Sequence, residues 1–319
     1  MNDYIFDLDA AVIRKSVTYP NRFGLTLAAD LYYSKDTDLS HQHPALLVGS
    51  PYGGVKEQGP GIYAQNMAKR GFIVVTFDES YNGYSGGQPR HISSPDIFVE
   101  DFSATVDFLG TRPFVDRDRI GAIGICGSGS FALSAAGIDP RIKAVVTASM
   151  IDISATDAVY TPEQKRATQL QIAEQRYVDF ETGHPVMGAR GYALQWDEKT
   201  NPVAREFGEF YATTRGYHPN AIGQFSWSSE PSFMNFNLLD HVDDIAPRPI
   251  MLIVGTAAFS RSFSDEVYAK AAGPKELVEV PGAIHIDLYD QCDKIPFEKI
   301  NAFFTQNLAK AGKGQSNEN

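Results

Sequence analysis

A cysteine at the end of an apolar run is the residue best suited to covalent chemistry in this sequence. The run 120–125 stops at Cys126, Gly124 precedes it by two positions, and the small residues 127–129 follow it. Residues 131–136 then have the composition of a helix. A strand, a sharp turn and a helix with one reactive side chain at the apex form a nucleophile elbow, whose usual pattern is G-x-S-x-G. We therefore predict that Cys126 is a nucleophile.

Two other interpretations of this stretch are open. Cys126 is also the kind of small residue that is buried at the end of a core strand. In a different register, Ser128 or Ser130 would be the nucleophile, but the apolar run stops at residue 125 and Ser128 would lie inside the first helical turn. At the apex, unpaired N–H groups and the positive end of the helix dipole would favour the Cys126 thiolate.

His285 is the candidate base. It follows the apolar segment 276–280 and precedes a closing helix at 295–308, and none of the other six histidines is placed in this way. Such a residue takes the proton of Cys126, or forms a thiolate–imidazolium pair with it, and then activates water. The alternative is a histidine in a surface loop.

The elements that must position these residues alternate along the chain. Two strands, 12–19 and 25–33, are followed by short strands that are apolar on both faces, as in a parallel sheet. These are 44–49, 72–77, 120–125, 144–149, 249–255 and 276–280. The predicted helices are 62–70, 96–109, 131–136, 161–180, one that begins near 264, and 295–308. This alternation predicts an α/β fold with a doubly wound, mostly parallel sheet.

The alternation of buried strands and helices is interrupted once. Residues 152–247 contain no apolar strand and are rich in aromatic residues. We predict a core made of residues 1–151 and 248–310, with 152–247 inserted between core strands as a helical, aromatic-rich cap. The polar residues 311–319 are predicted to be a disordered tail.

Four motifs in a fixed order carry a family resemblance. They are 49–54 (GSPYGG), 78–87 (DESYNGYSGG), 124–129 (GICGSG) and 280–285 (VPGAIH). Over residues 12–308 the chain resembles the α/β-hydrolase superfamily and, within it, the dienelactone-hydrolase-like branch, some members of which carry cysteine at the elbow. The resemblance implies a lid over the strand ends and a Cys-His-Asp type triad. It implies neither an organic cofactor nor a metal.

The acid of the triad is the open position. The family usually places an aspartate a few residues after the strand that here ends at 255, but 256–264 contains no carboxylate. Asp265 comes next, although a helix start would select an acidic residue there in any case. Some α/β hydrolases place the acid at the end of the neighbouring strand, where this chain has Asp152. We predict Asp152, with Asp265 as the alternative.

The oxyanion hole and the pocket also follow from the resemblance. It implies one donor from the backbone N–H of Gly127 and a second from the loop after strand 44–49. Pro51 has no N–H, so Tyr52 is predicted and Gly53 is the fallback. The residues predicted to line the substrate pocket are Gly53, Tyr81, Tyr84, Tyr211, Trp227 and Phe233. The aromatic residues of the cap would contact an apolar or aromatic part of a substrate, or would form the cap's own core.

Composition excludes several classes of partner. The chain has 319 residues, 43% of them hydrophobic, and a formal net charge of −11, which disfavours nucleic acid and anionic membranes as partners. Its two cysteines, Cys126 and Cys292, form neither a disulfide framework nor a zinc cluster. No apolar run is long enough to span a bilayer, and the acidic N-terminus lacks the basic segment of a signal peptide. We expect a cytoplasmic protein acting on a small molecule, and a homo-oligomer is left open.

The function predicted on this basis is hydrolysis of carboxylic esters, lactones or thioesters through an acyl-cysteine intermediate. An acyltransferase or a lyase on the same fold is the first alternative. A non-catalytic ligand-binding homologue is the second, because fold does not determine function. The missing carboxylate after residue 255 is its main support.

Overall fold

The computed structural model describes residues 3–155 and 160–310, and its strands form a single eight-stranded sheet. The strands are β1 (Val12–Pro20), β2 (Thr26–Ser34), β3 (His43–Gly49), β4 (Ile73–Phe77), β5 (Val115–Ile125), β6 (Ile142–Ala148), β7 (Ile250–Gly255) and β8 (Lys275–Val280). Their spatial order is β1-β2-β4-β3-β5-β6-β7-β8. The pair β1 and β2 and the pair β2 and β4 are antiparallel, and the remaining pairs are parallel. The predicted α/β fold class is confirmed.

Helices cover both faces of the sheet. They are α1 (Gly59–Ala68), α2 (Pro95–Gly110), α3 (Ser128–Ile138), α4 (Pro162–Thr182), α5 (Pro202–Tyr211), α6 (Glu230–Phe233), α7 (Arg261–Lys270), α8 (Asp287–Asp290) and α9 (Phe297–Asn307). None of the helices within residues 3–155 and 160–310 is long and apolar enough to cross a membrane.

The central strands are buried on both sides because their side chains alternate between two cores. Leu47 packs in the core that contains α2, α3 and α7, whereas its neighbour Leu46 packs in the core that contains α1 and α9. Val145 and Val146 divide in the same way on β6. Successive residues of a strand point to opposite faces, so the all-apolar runs in the sequence reflect a sheet with helices on both sides.

Predicted and observed element boundaries differ where solvent reaches a strand or a turn. Strand β5 begins five residues before the predicted 120–125, because 116–119 are partly exposed and break the apolar pattern. Helix α7 begins at Arg261, three residues before the predicted start. Helix α4 lies close to its predicted range, because Thr161 and Gln164 form a reciprocal capping box at its start.

Between β6 and β7 the chain forms α4, α5, α6 and two short 3-10 turns, Trp227–Ser229 and Asp243–Ile245. An isolated bridge joins Met187 and Ser226. Helix α5 buries Phe210 and Tyr211 at its end, and both rings pack against Tyr289 of the core. The division into a core and a cap remains a prediction, and the predicted tail 311–319 lies outside the described residues.

Candidate active site

Cys126 lies at a sharp turn between β5 and α3. Its φ angle is +54°, in the left-handed region that costs an L residue energy and recurs at functional sites. Its N–H donates to the Ala148 carbonyl at 2.9 Å, and its own carbonyl accepts from Gly129 N–H at 2.9 Å. A β-carbon at Gly124 would lie 2.2 Å from the Ser128 carbonyl oxygen, so strand and helix cross too closely for a side chain there. The chain therefore has the strand–turn–helix geometry of an elbow.

The two serines that could replace Cys126 in another register are engaged in the first turn of α3. The Ser128 hydroxyl donates to Glu79 Oε1 at 3.1 Å. The Ser130 hydroxyl donates to the Gly127 carbonyl at 2.8 Å. Of these three side chains, only that of Cys126 stands at the apex of the turn.

The environment of the Cys126 thiol differs from the one expected at a helix start. Only 4% of the residue is exposed, and burial raises the pKa of the thiol to about 11. Hydrogen bonding from the Tyr289 hydroxyl and from the backbone N–H groups of Gly127 and Tyr52 lowers the thiol pKa, but by less than burial raises it. The expectation of a favoured thiolate is corrected: at neutral pH the thiol retains its proton, and attack needs a base.

His285 is completely buried in the loop between β8 and α8. Its Nδ1 lies 2.7 Å from Ser260 Oγ, and its Nε2 lies 2.9 Å from the Tyr289 hydroxyl. Burial lowers the pKa of the imidazole to about 3, so the ring is neutral at physiological pH. A neutral imidazole with both nitrogens bonded to hydroxyl groups has a fixed orientation and is able to accept one proton.

The structure does not place either predicted acid at His285. Both the N–H and the hydroxyl of Ser154 donate to one Asp152 oxygen, at 2.9 and 2.5 Å, so this carboxylate closes the turn after β6. Asp265 forms a surface ion pair with Arg261, one turn earlier on α7. The partner of Nδ1 is Ser260, because the segment after β7 contains no carboxylate and a hydroxyl at the start of α7 occupies the position beside the ring.

Tyr289 was not predicted from the sequence, although it lies beside both His285 and Cys126. Its ring is fully buried and packs edge-on against Phe210, with the centroids 5.2 Å apart. The buried hydroxyl of Tyr211 is its neighbour but makes no hydrogen bond of ordinary geometry. The spacing of four residues between His285 and Tyr289 was no signal, because His285 lies in the loop before α8 (Asp287–Asp290) and the two residues do not share a helix.

The two predicted oxyanion donors lie next to the sulfur. The N–H groups of Tyr52 and Gly127 are close enough to the Cys126 sulfur to lower the pKa of its thiol. The Tyr52 side chain is held in place by a hydrogen bond from its hydroxyl to Ser93 Oγ at 2.7 Å and by a stacked contact with Phe225, with ring centroids 4.2 Å apart.

A pocket of about 430 Å³ adjoins Tyr52. It is lined by aromatic and small residues: Tyr52, Ile153, Tyr160, Gly188, Ala189, Phe225, Ser226, Trp227, Ser229, Glu230 and Phe233. Trp227 and Phe233 were predicted to line a pocket and do so here. Gly53 is not among the lining residues but lies next to one of them, since a β-carbon there would be 3.5 Å from the Phe225 ring. The lining ends at Tyr52 and Ile153 and does not include Cys126.

Three other predicted pocket residues do not line the pocket beside Tyr52. The Tyr81 ring packs on Gly87 within its own loop. Tyr84 is 52% exposed, donates from its hydroxyl to Asp3 at 2.9 Å and lines a different pocket. Positive φ angles at Tyr81 and Gly87 turn the backbone of this loop. Tyr211 is buried beside Tyr289, outside the aromatic pocket.

A family model described as X-Pro dipeptidyl-peptidase (S15 family) matches residues 24–206, more than half of the 319 residues. The chain belongs to this family. It is an α/β hydrolase by fold as well: the chain is similar to the α/β hydrolase GrgF from Penicillium sp. sh18, with a TM-score of 0.79 and 20% identity over 93% of this chain and 99% of that one.

Several relatives of this S15-family chain are similar along most of its length. Protein PA2218 of Pseudomonas aeruginosa is 48% identical over 315 residues, which are 96% of this chain and 84% of that protein. Its crystal structure has a TM-score of 0.92. The acyltransferase drtE of Aspergillus calidoustus is 26% identical over 83% of this chain and 85% of that protein. The thiohydrolase aneE of Aspergillus aculeatus is 29% identical over 72% and 73%.

In this α/β hydrolase, the described residues bring together a thiol, two backbone donors and a neutral imidazole. A thiol at an elbow can attack a carbonyl carbon, donors beside it can bind the resulting oxyanion, and a neutral imidazole can take up the proton. Within residues 3–155 and 160–310, no three histidine, cysteine, aspartate or glutamate side chains are grouped as metal ligands.

Proposed function

We propose that this α/β hydrolase cleaves thioesters, and activated carboxylic esters, through an acyl-Cys126 intermediate. The observation that carries the proposal is the position of Cys126 at the elbow, with the N–H groups of Tyr52 and Gly127 beside its sulfur. The similarity to a thiohydrolase and an acyltransferase supports acyl chemistry over other reactions of the fold. The assignment to a dienelactone-hydrolase-like branch, and with it a lactone substrate, stays a prediction.

The proposed reaction has two halves. The Cys126 sulfur forms a bond to the carbonyl carbon, its proton passes to His285, and the carbonyl π electrons move to the oxygen, which the two N–H groups bind. The tetrahedral intermediate then expels the thiolate or alkoxide, which takes the proton back from His285. In the second half, water loses a proton to His285 as its oxygen bonds to the acyl carbon. The tetrahedral intermediate then breaks its carbon–sulfur bond, the Cys126 thiolate takes the proton back from His285, and the carboxylic acid is released. Removing one donor of an oxyanion hole costs about 10²–10³ in rate.

The substrate class follows from the pocket beside Tyr52. Its walls are aromatic, including Phe225, Trp227 and Phe233, and its volume of about 430 Å³ suits an acyl group of one ring or a medium chain. A thioester substrate also suits a cysteine nucleophile, because acyl exchange between two sulfurs replaces one thioester bond by another of similar energy. We propose an acyl group with an aromatic or branched apolar body.

Acyl transfer to a second substrate is the other candidate function. Burial of Cys126 and His285 keeps water from the acyl-cysteine, and exclusion of water prevents hydrolysis of reactive intermediates. The similarity to the acyltransferase drtE favours this candidate. For either function the aromatic side chains over Tyr52 must move to admit the carbonyl group to Cys126.

A phenylacetyl thioester of N-acetylcysteamine tests the proposal. The expected result is turnover and, in a rapid quench, a phenylacetyl adduct on Cys126 detected by peptide mass spectrometry. Cys126→Ala should abolish both. Cys292→Ala is the matched control, because that thiol is exposed, and it should retain both. Added thiol or alcohol acceptors distinguish transfer from hydrolysis through the product ratio. Unchanged turnover in Cys126→Ala, or faster cleavage of Gly-Pro-p-nitroanilide than of thioesters, would contradict the proposal.

A further inference from the structure

The Tyr289 hydroxyl lies between the nucleophile and the base. It is 2.9 Å from His285 Nε2, and it lies close enough to the Cys126 sulfur to lower the pKa of the thiol. The other ring nitrogen, Nδ1, is paired with Ser260 at 2.7 Å. Both nitrogens of His285 are therefore bonded to hydroxyl groups, and neither is left for a direct hydrogen bond to the sulfur.

The surroundings of Tyr289 hold it in this position. The side chain has no exposed surface, and its ring packs edge-on against Phe210 and against the His285 ring, with centroid distances of 5.2 and 5.3 Å. Its backbone is fixed as well: a β-carbon at Gly59 would lie 2.9 Å from the Tyr289 carbonyl oxygen, so α1 closes directly against this residue. A side chain packed in this way is suited to a fixed role and not to swinging aside.

We propose that Tyr289 is the proton carrier between Cys126 and His285. The thiol proton moves to the Tyr289 oxygen while the Tyr289 hydroxyl proton moves to His285 Nε2. The sulfur electron pair forms the bond to the carbonyl carbon, and the π electrons move to the carbonyl oxygen. Tyr289 ends the step neutral, and His285 ends it as an imidazolium that donates from Nδ1 to Ser260. The reverse movement delivers the proton to the leaving group.

The properties of the two end groups explain why a carrier of this kind is suitable. A thiol with a pKa of about 11 and an imidazole with a pKa of about 3 do not form an ion pair spontaneously. Proton transfer must therefore accompany formation of the carbon–sulfur bond. A phenolic hydroxyl accepts one proton and donates another in the same step without itself becoming charged.

Tyr289→Phe tests the carrier, with Tyr63→Phe as the matched control. Both changes remove one buried hydroxyl, and that of Tyr63 donates to the carbonyl of Leu288, next to Tyr289. We expect kcat/KM for the phenylacetyl thioester to fall by about 10²–10⁴-fold in Tyr289→Phe, the usual contribution of a positioned proton-transfer group. The control should stay within about threefold of the wild type. A faster Tyr289→Phe enzyme would overturn the proposal, because Tyr289 would then be an obstruction.

Two measurements complement the substitution. In mixtures of H2O and D2O, kcat/KM of the wild type should depend on the deuterium fraction along a curve, since two protons move in one step; a straight line contradicts the carrier. This test needs no variant to fold. Alkylation of Cys126 by iodoacetamide, which needs no substrate, should be at least tenfold slower in Tyr289→Phe than in the control.

The inference rests on the proposed function, and the outcomes separate the two. Turnover that survives Cys126→Ala removes the proposed function. Turnover that is lost in Cys126→Ala but kept in Tyr289→Phe leaves the acyl-cysteine intact and removes only the carrier.

Discussion

At the scale of single residues, the candidate site uses hydroxyl groups where a carboxylate was expected. Ser260 and Tyr289 bond the two nitrogens of His285, and the imidazole remains neutral because burial lowers its pKa to about 3. A buried carboxylate beside the ring would stabilise the imidazolium, whereas a hydroxyl only orients the ring. His285 is therefore a well-positioned but weak base. A weak base suits a thiol nucleophile, because a thiol ionises more easily than a serine hydroxyl.

Ser260→Ala tests the orienting role of the hydroxyl, and Ser264→Ala on the same helix is its control. Both serines are fully buried, but the Ser264 hydroxyl has no hydrogen-bond partner. Ser260→Ala leaves Nδ1–H unpaired, so we expect a loss of about 1–3 kcal/mol in the free energy of unfolding. We expect kcat/KM to fall about tenfold because the imidazole is less well aligned, which corresponds to an activation barrier higher by about 1.4 kcal/mol. Urea denaturation and thioester kinetics measure both quantities.

The control should be neutral or slightly stabilising, because it removes a buried polar group that has no partner. Equal effects of the two substitutions would show that Ser260 contributes only packing.

The site could be predicted from the sequence only in part, for reasons visible at single residues. Cys126 and His285 are singled out by type and by position after apolar strands, where α/β folds place functional loops. Ser260 and Tyr289 carry no comparable signal, because serine and tyrosine are common and their roles depend on contacts across the fold. Asp152 was a reasonable candidate for the acid, but a hydroxyl and an N–H two residues away bind its carboxylate locally.

At the scale of elements, the elbow depends on how closely β5 and α3 cross. Cys126 holds a positive φ because β5 ends and α3 begins within two residues. At this crossing a β-carbon on Gly124 would meet the backbone of Ser128 and Gly129. The strand and the first helical turn are fixed by the sheet and by both cores. Their packing therefore maintains the backbone strain at Cys126.

The elements themselves were predictable to a large extent. The strands β3, β4, β6 and β7 are buried or nearly buried apolar runs, β5 ends in one, and such runs are visible in any sequence. Strand β8, predicted as a buried run, is mostly exposed or half-buried, because its lysine and glutamates interrupt the apolar residues. The start of β5 was not predicted, because residues 116–119 are polar and partly exposed and do not continue the apolar run. The conformation of the loop 78–87 was not predictable either. It depends on residues with positive φ such as Tyr81, and the residue type tyrosine does not indicate a positive φ.

Gly124→Ala should disrupt the crossing. A β-carbon there would lie 2.2 Å from the Ser128 carbonyl oxygen, a backbone atom that cannot move without shifting α3. We expect the free energy of unfolding to fall by about 2 kcal/mol or more. Gly110→Ala at the end of α2 is the control, because the nearest atom to its β-carbon would be 3.7 Å away. It should be neutral or stabilising by up to about 1 kcal/mol. Urea denaturation compares the two; similar midpoints would contradict the tight crossing.

At the scale of the whole molecule, buried ionisable groups make the free energy of unfolding depend on pH, and the buried carboxyls and His285 change it in opposite directions. Burial raises the pKa of Asp101 to about 7. Burial also raises the pKa of the Glu79 carboxyl. These carboxyls favour the folded state at low pH, and their contribution is lost as the pH rises from 3.8 towards 7. His285 has the opposite sign, because its pKa is lowered from 6.5 to about 3. The unfolded chain then binds a proton that the folded chain does not.

Because these contributions partly cancel in the wild type, the effect of His285 is isolated by comparing it with His285→Asn. Above pH 6.5 the imidazole is neutral in both states, so the difference in unfolding free energy between wild type and variant should be constant. As the pH falls from 6.5 to about 4, the unfolded wild type gains a proton, and its advantage over the variant should shrink by about 1.4 kcal/mol per pH unit. Urea denaturation at several pH values measures this difference.

His184→Asn, at an exposed position, is the control, and its unfolding free energy should follow that of the wild type at every pH. A constant difference for His285→Asn down to pH 4 would mean that the folded protein protonates His285 as readily as the unfolded chain, and the imidazole would then not be sealed from water.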